Sequence, residues 1–273
     1  MKAVKLLLIL FILNSSHAQM LQYPQSIPYS GITSYSSRQQ DVFSFAANQA
    51  ALAGISSTSL GIFAERKFMV SEISIYSVAA SMPTVLGNFG FQFNYGGFKN
   101  YHESRLGMAY ARRLGNKIAM GIQFNYSGYR IPSYTIASAI NVEAGLIFHL
   151  TEQLNAGLHI YNPIGVKLGK GLSEKLSPVY SFGIGYDAAE NFYAGIVLIK
   201  QEDIPLNISS LIQYNLNRLF YLKGGYSSAG SQAFGGVGFC LKKFRFDIII
   251  NYHPQLGVYP GMLLMADVKR TTK

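Results

Sequence analysis

The residues able to do chemistry are few and scattered. Outside the first eighteen residues the histidines are His102, His149, His159 and His253, and the one cysteine is Cys240. Zinc hydrolysis of the His-Glu-x-x-His kind needs two imidazoles one helical turn apart with a carboxylate between them as base. His102-Glu103 has no second histidine at that spacing. Paired Cys and His ligands at metal spacing do not occur, so neither a metal nor another cofactor is expected. A nucleophilic serine would sit in a Gly-x-Ser-x-Gly elbow and a nucleotide phosphate in a Walker loop, and neither is present. Gly235-Gly236-Val237-Gly238 falls inside a strand pattern rather than at a strand-to-helix turn. Asn125-Tyr126-Ser127 and Asn207-Ile208-Ser209 match the glycosylation acceptor, which matters only on a eukaryotic secretory route. What remains is His159 as a base for a Ser/His hydrolase, which would need a hydroxyl and a group orienting the imidazole. The competing reading is a polar residue lining an interior, and it is preferred: no enzyme is expected.

The elements that would position these residues are read from composition and periodicity. Charged residues make up 13% of 273, against about 25% in ordinary soluble domains. Hydrophobic residues reach 49%, aromatics 14% with no Trp, and there are 27 glycines. So few charges leave little to solvate a surface, which points to a membrane-facing protein. The formal net charge is +10. Its tight groups, Arg112-Arg113, Lys242-Lys243-Phe244-Arg245 and Lys269-Arg270, stand at the ends of apolar stretches. Nucleic-acid sites cluster basic residues with stacking aromatics, so these are read instead as solvated strand ends or contacts to anionic lipid head groups.

Residues 1–18 read as a secretory signal peptide: Lys2 and Lys5, an apolar run from Leu6 to Leu13, then Ser16-His17-Ala18 before Gln19. No cysteine follows the cleavage site, so no lipid anchor is expected. Beyond it no apolar run reaches the length of a helical span. Alternation recurs instead. Ile118, Met120, Ile122, Phe124 and Tyr126 are large and apolar, while Ala119, Gly121, Gln123 and Asn125 between them are small or polar. Phe89 to Gly96, Phe244 to Tyr252 and Leu154 to Ile160 repeat the pattern, giving one apolar and one polar face per strand. About fourteen strands are expected over residues 56–273, centred near Gly61, Ile75, Phe91, Ala109, Ile122, Ala144, Leu158, Gly183, Ile196, Ser210, Tyr221, Gly236, Ile248 and Leu263. Short polar linkers (Met82–Thr84, Leu114–Lys117, Thr151–Gln153, Asp187–Asn191, Asn215–Asn217, Lys242-Lys243) alternate with longer ones (Gly96–His102, Ser127–Tyr134, Asn162–Pro178, Gln201–Pro205, Ser227–Gln232). A sandwich has no reason to sort its loops so. An up-and-down antiparallel outer-membrane barrel does, with short turns towards the periplasm.

Three strands after short turns share an apolar-x-Ala/Met-Gly-apolar start and place Gly121, Gly157 and Gly195 on the inward face. Glycine there either eases curvature or leaves room for a plug near the periplasmic mouth. Residues 19–55 do not alternate. Leu21–Ser37 reads as irregular, and Asp41–Gly54 as a short apolar helix stopped by Gly54, whose natural place is the lumen mouth. Asn48, Ala50 and Leu52 are its plug candidates, with His159 on the lumen wall.

Ala47-Asn48-Gln49-Ala50-Ala51-Leu52-Ala53 resembles the Asn-Pro-Ala-x-Leu-Ala motif near the N-terminus of FadL-like outer-membrane proteins, with Gln49 in place of the proline. Tyr252-His253-Pro254-x-Leu256-Gly257-x-x-Pro260 looks like the last hairpin of the PorV/PorQ group of Bacteroidetes, the nearest branch. The resemblance implies a fourteen-stranded barrel with an N-terminal plug, in transport of a hydrophobic small molecule or in type IX secretion-associated binding of machinery or cargo. A structural adaptor of an envelope complex is the alternative. Outer-membrane lipids are then the surrounding partner, and the cell outer membrane the location.

Overall fold

A computed structural model describes residues 30–131, 135–168, 175–202 and 204–270. The expected signal peptide lies outside the described residues. Fourteen strands follow one another: β1 (Ser57–Arg66), β2 (Ser74–Thr84), β3 (Gly87–Phe98), β4 (Tyr101–Leu114), β5 (Ile118–Ile131), β6 (Thr135–His149) and β7 (Leu154–Tyr161). The second half comprises β8 (Val179–Ala189), β9 (Phe192–Gln201), β10 (Asn207–Asn215), β11 (Phe220–Ser227), β12 (Gln232–Leu241), β13 (Phe244–His253) and β14 (Gly257–Arg270). Each strand pairs antiparallel with its sequence neighbours, and β1 pairs with β14, closing an all-β barrel. All fourteen expected strand centres fall inside these strands.

Closure follows from the alternation. A sheet with one apolar and one polar face must bury its edges as well as choose a side, and a closed barrel leaves no edge. Here the apolar face is the outer one. Ile140 on β6 is 66% exposed and Phe124 on β5 56% exposed, whereas inward Gln123 is 1% exposed. Tens of large apolar side chains share that outer surface, far beyond the few hundred Å² that a soluble monomer tolerates. Among the described residues no helix is long and apolar enough to cross a membrane. The strands, eight to fifteen residues long, bracket the roughly 9–11 residues that a tilted strand needs.

Several connections differ from expectation. The expected loop Gly96–His102 is mostly strand, because β3 runs to Phe98 and β4 starts at Tyr101, leaving Lys99-Asn100 as a tight turn. Positive φ at Gly97, 123°, lets the ladder continue to that point. The expected turn Met82–Thr84 is likewise strand, with the reversal at Val85-Leu86. Here the ladder from Ile75 to Thr84 against β3 outweighs the turn signal of Pro83. Between β1 and β2 lies a two-part loop, Lys67–Ile73, that sequence periodicity did not signal.

The N-terminal segment folds inward and fills the barrel. The single helix expected over Asp41–Gly54 is instead two 3-10 turns, Ser44–Ala46 and Gln49–Gly54, and a four-residue helix α1 (Ser30–Thr33) precedes them. The break falls at Asn48, whose extended backbone (φ −149°, ψ 112°) starts the second turn while its side chain caps it. That competition by a short polar side chain is why Asn disfavours helix interiors and favours N-caps.

Candidate functional site

The site is the contact between residues 30–56 and the inner wall. Asn48 Nδ2 donates to the Leu158 carbonyl at 3.2 Å and to the Leu146 carbonyl at 3.4 Å, reaching β7 and β6 at once. Its Oδ1 accepts from the Ala50 amide at 3.1 Å. Gln49 Nε2 donates to Glu143 Oε2 at 2.5 Å, and Glu143 Oε1 accepts from Asn125 Nδ2 at 2.6 Å. His159 Nε2 lies 3.3 Å from the same Glu143 Oε2. His159 is thus on the lumen wall as its strand parity requires, part of a carboxylate-centred network that continues through Asn141 to the Tyr161 hydroxyl. Leu52 is seated through its carbonyl, which accepts from Asn88 Nδ2 on β3 at 2.6 Å; the Ile55 carbonyl accepts from the same group at 2.7 Å.

Further attachments were not expected, among them the Tyr193 hydroxyl donating to the Ile32 carbonyl at 2.5 Å and Gln213 Nε2 to Gln39 Oε1 at 2.7 Å. Ser36 Oγ donates to Asp187 Oδ1 at 2.6 Å and the Ser37 amide to Oδ2 at 2.7 Å, on β8. Across the barrel, Asp41 pairs with Arg245 Nη1 at 3.2 Å. Arg245 also pairs with Asp247 at 3.0 Å, which holds Lys223 Nζ at 2.5 Å and accepts from the Tyr221 hydroxyl. Lys223 and Asp247 have no solvent-exposed side-chain surface. Their signal was present in the sequence: a charged residue at an inward position of an otherwise alternating strand must find its partner inside.

The inward glycines form the seat. A Cβ on Gly121 would lie 2.5 Å from the Gln49 carbonyl oxygen and 2.8 Å from the Ala50 amide nitrogen. On Gly195 it would lie 2.5 Å from Ile32 Cγ2, and on Gly157 2.7 Å from the Tyr35 ring. Gly145 would meet the Asn48 amide group and Gly183 the Tyr35 ring. Tyr35, fully buried among these glycines, lies in a stretch read as irregular and carried no sequence signal. The segment's apolar residues (Ile32, Val42, Phe43, Phe45 and Leu52) join one cluster with wall residues Phe63, Val197, Leu211, Phe234, Ile249 and Leu263.

A second, smaller cluster forms where the longest loop meets β6. Leu168 and Leu176, on the described parts of the loop Asn162–Pro178, are buried against Ala137 and Ala139 of β6. Asn162 clamps the loop, donating to the Leu176 carbonyl and accepting from the Val166 amide at 3.2 Å. Lys175 pairs with Glu202 on the surface at 2.7 Å. At the β1–β2 loop burial lowers the Lys67 ammonium from its ordinary value, with Glu65 and Glu103 opposing that shift. Among the described residues no group of three or more His, Cys, Asp or Glu could hold a metal ion.

No family model matches this sequence. No curated protein matches it either. Solved structures share its fold. A Pseudomonas aeruginosa FadL homologue superposes with a TM-score of 0.63 at 9% identity, covering 88% of this chain and 97% of that one. The Pseudomonas putida toluene transporter TodX gives 0.62 at 10% identity, covering 88% and 99%. The Ralstonia pickettii toluene transporter TbuX gives 0.60 at 9% identity, covering 82% and 92%. The fold is therefore that of the FadL-like barrels.

Proposed function

We propose that this chain is an outer-membrane transport protein that passes a small, largely apolar molecule, with residues 30–56 as a plug that shifts to allow passage. The observation that carries the reading is the inward-folded segment, held by side-chain contacts on a seat of glycines rather than by continuous strand pairing. A segment attached in this way can move without breaking the barrel ladder. Asn48, Ala50 and Leu52 are its contact residues, Gly121, Gly157 and Gly195 its seat, and His159 a fixed partner of Glu143 rather than a base. Two of the structural neighbours are toluene transporters, which supports an aromatic or aliphatic solute. An exported precursor cleaved after Ala18 and surrounded by outer-membrane lipids fits this role.

The test is solute uptake into proteoliposomes holding the full mature chain. Toluene entry several-fold above empty liposomes, raised further by Gln49→Ala, is the expected result. Entry no faster than through empty liposomes for both proteins would overturn the transport reading. One observation favours a second reading: besides the plug, the loop Asn162–Pro178 packs Leu168 and Leu176 onto the inner face of β6. A loop packed in this way suits binding at the envelope, in the manner of the PorV/PorQ group with secretion machinery or cargo. Site-specific crosslinking from Ile164, 83% exposed on that loop, to one defined envelope protein would support it.

A further inference from the structure

The plug does not seal the barrel evenly. A cavity of about 330 Å³ remains between two of its stretches, near Arg38 and near Ser56, and the ends of β12, β13, β14 and β1. Arg38, Lys242 and Lys243 converge on it from two separate chain segments, the plug and the β12–β13 turn. None of the three makes an ion pair among the described residues. The other charges lining the cavity are largely committed. Arg245 and Asp41 pair with each other, and Asp267 Oδ1 accepts from the Ser57 and Ser59 hydroxyls at 3.0 and 2.6 Å. Three free cations therefore face a single unpaired carboxylate, Asp267, and the cavity attracts anions.

The turn itself is unusual. Lys242 has φ +53°, in the left-handed region where Gly or Asn is favoured in a two-residue hairpin turn. A lysine there strains the backbone, and what it adds is a cationic residue at the cavity rim. The neighbours of the Lys pair, Leu241 and Phe244, point outward and are 63% and 59% exposed. The turn thus marks the height at which the apolar belt gives way to charge, which is where lipid phosphates lie. A guanidinium and two ammoniums among the lining residues offer more donors than a carboxylate's two oxygens need, and a phosphate has oxygens enough to use them.

We infer that this cavity binds a phosphate group, carried either by an anionic phospholipid of the periplasm-facing leaflet or by a soluble phosphate ester. The inference rests on the barrel spanning the outer membrane with its short turns towards the periplasm, and not on what the lumen passes. The test uses the full mature chain in nanodiscs of phosphatidylcholine with phosphatidylglycerol, with retained lipid counted by native mass spectrometry. A parallel arm titrates glycerol phosphate into the micellar protein by calorimetry. The triple variant Arg38→Gln, Lys242→Gln, Lys243→Gln is compared with Arg112→Gln, Arg113→Gln, which removes rim charge away from the cavity. A tenfold loss of retained phosphatidylglycerol in the triple variant alone assigns the lipid source. Loss of glycerol phosphate binding in the triple variant alone, with lipid retention unchanged, assigns the soluble source. If the triple variant and the control behave alike in both arms, the site is overturned. A chain that enters nanodiscs as a heat-modifiable barrel but shows no difference fails only this inference. One that never inserts fails the membrane reading itself.

Discussion

The two halves of the wall hold the same plug by different physics. From β3 to β6 the strands are long, twelve to fifteen residues, and the inner faces from β3 to β7 carry Asn88, Gln92, Asn94, Gln123, Asn125, Asn141, Glu143 and His159. From β9 to β13 they run eight to ten residues, and the inner faces from β9 round to β1 add the large apolar side chains Val197, Leu211, Phe234, Ile249, Leu263 and Phe63. On the polar half the plug is fixed by directional bonds from Asn48 and Gln49. On the apolar half buried area, which is non-directional, dominates; beside it stand two bonds, Tyr193 hydroxyl to the Ile32 carbonyl and Gln213 to Gln39, and one ionic knot at Arg245, Asp247, Lys223 and Asp41. The difference teaches where each kind of damage would be felt. A lost bond on the polar half releases the plug's orientation, and a lost charge on the apolar half threatens the wall.

The largest effect is therefore expected at that knot. Asp247→Ala removes the partner of two cations in a buried site, and unpaired buried charge typically costs about 3–5 kcal/mol. Urea titration followed by heat-modifiable gel migration should show a much earlier midpoint. Replacing both members, Lys223→Met with Asp247→Leu, should recover part of the loss, because no buried lysine is then left unpaired and Arg245 keeps Asp41. If Asp247→Ala left the midpoint unmoved, the knot would not be structural and the comparison between halves would collapse.

Next in size is the glycine seat. Gly121→Ala forces a methyl onto the Gln49–Ala50 peptide, where the contact is backbone and cannot swing away. Overpacking of this kind costs about 1–3 kcal/mol, and here the plug should yield before the wall does. Amide hydrogen exchange in residues 49–54 should rise while exchange in β5 stays slow. Equal acceleration of both would show that the plug and the wall are one cooperative unit.

A smaller effect is expected at Asn48→Ala. It removes an N-cap worth about 0.5–2 kcal/mol together with two weak bonds to β6 and β7. Faster exchange at the Ala50 and Ala51 amides, with wall stability nearly unchanged, is the expected outcome.

Strand number, strand centres and facing were all legible because they rest on a period of two that fourteen segments repeat. Tyr126 out and Asn125 in needed only parity. Loop lengths were less legible: Gly96-Gly97 read as a loop, yet Gly97 merely carries the ladder to a tight turn at Lys99-Asn100. The inward glycines were visible as a repeated position, but curvature and close approach predict the same residue. Only the position of Gln49 and Tyr35 against them separates the two. Glu143 and Asp247 were visible as charges on inward faces. Their partners were not, since Gln49 is 94 residues from Glu143 and strand parity says nothing about what fills a lumen.

The smallest expected effect sharpens the comparison at a single pair of adjacent glycines on β11. Gly225 faces inward, and a Cβ there would run into the Ser210 carbonyl oxygen of β10 and the Phe234 ring. Gly224 faces outward, where a Cβ would meet nothing nearer than the Phe234 carbonyl oxygen at 3.6 Å. Neither glycine has a positive φ, so alanine is compatible with both backbones. Gly224→Ala should therefore be neutral or stabilise by up to about 1 kcal/mol, through the entropy of the unfolded chain. Gly225→Ala should destabilise. Urea midpoints of the two variants that differ in sign would show that the lumen on this side is close-packed at single-methyl resolution. Midpoints that agree would mean that both the Phe234 ring and the Ser210 backbone give way, and that the apolar half yields where the polar half does not.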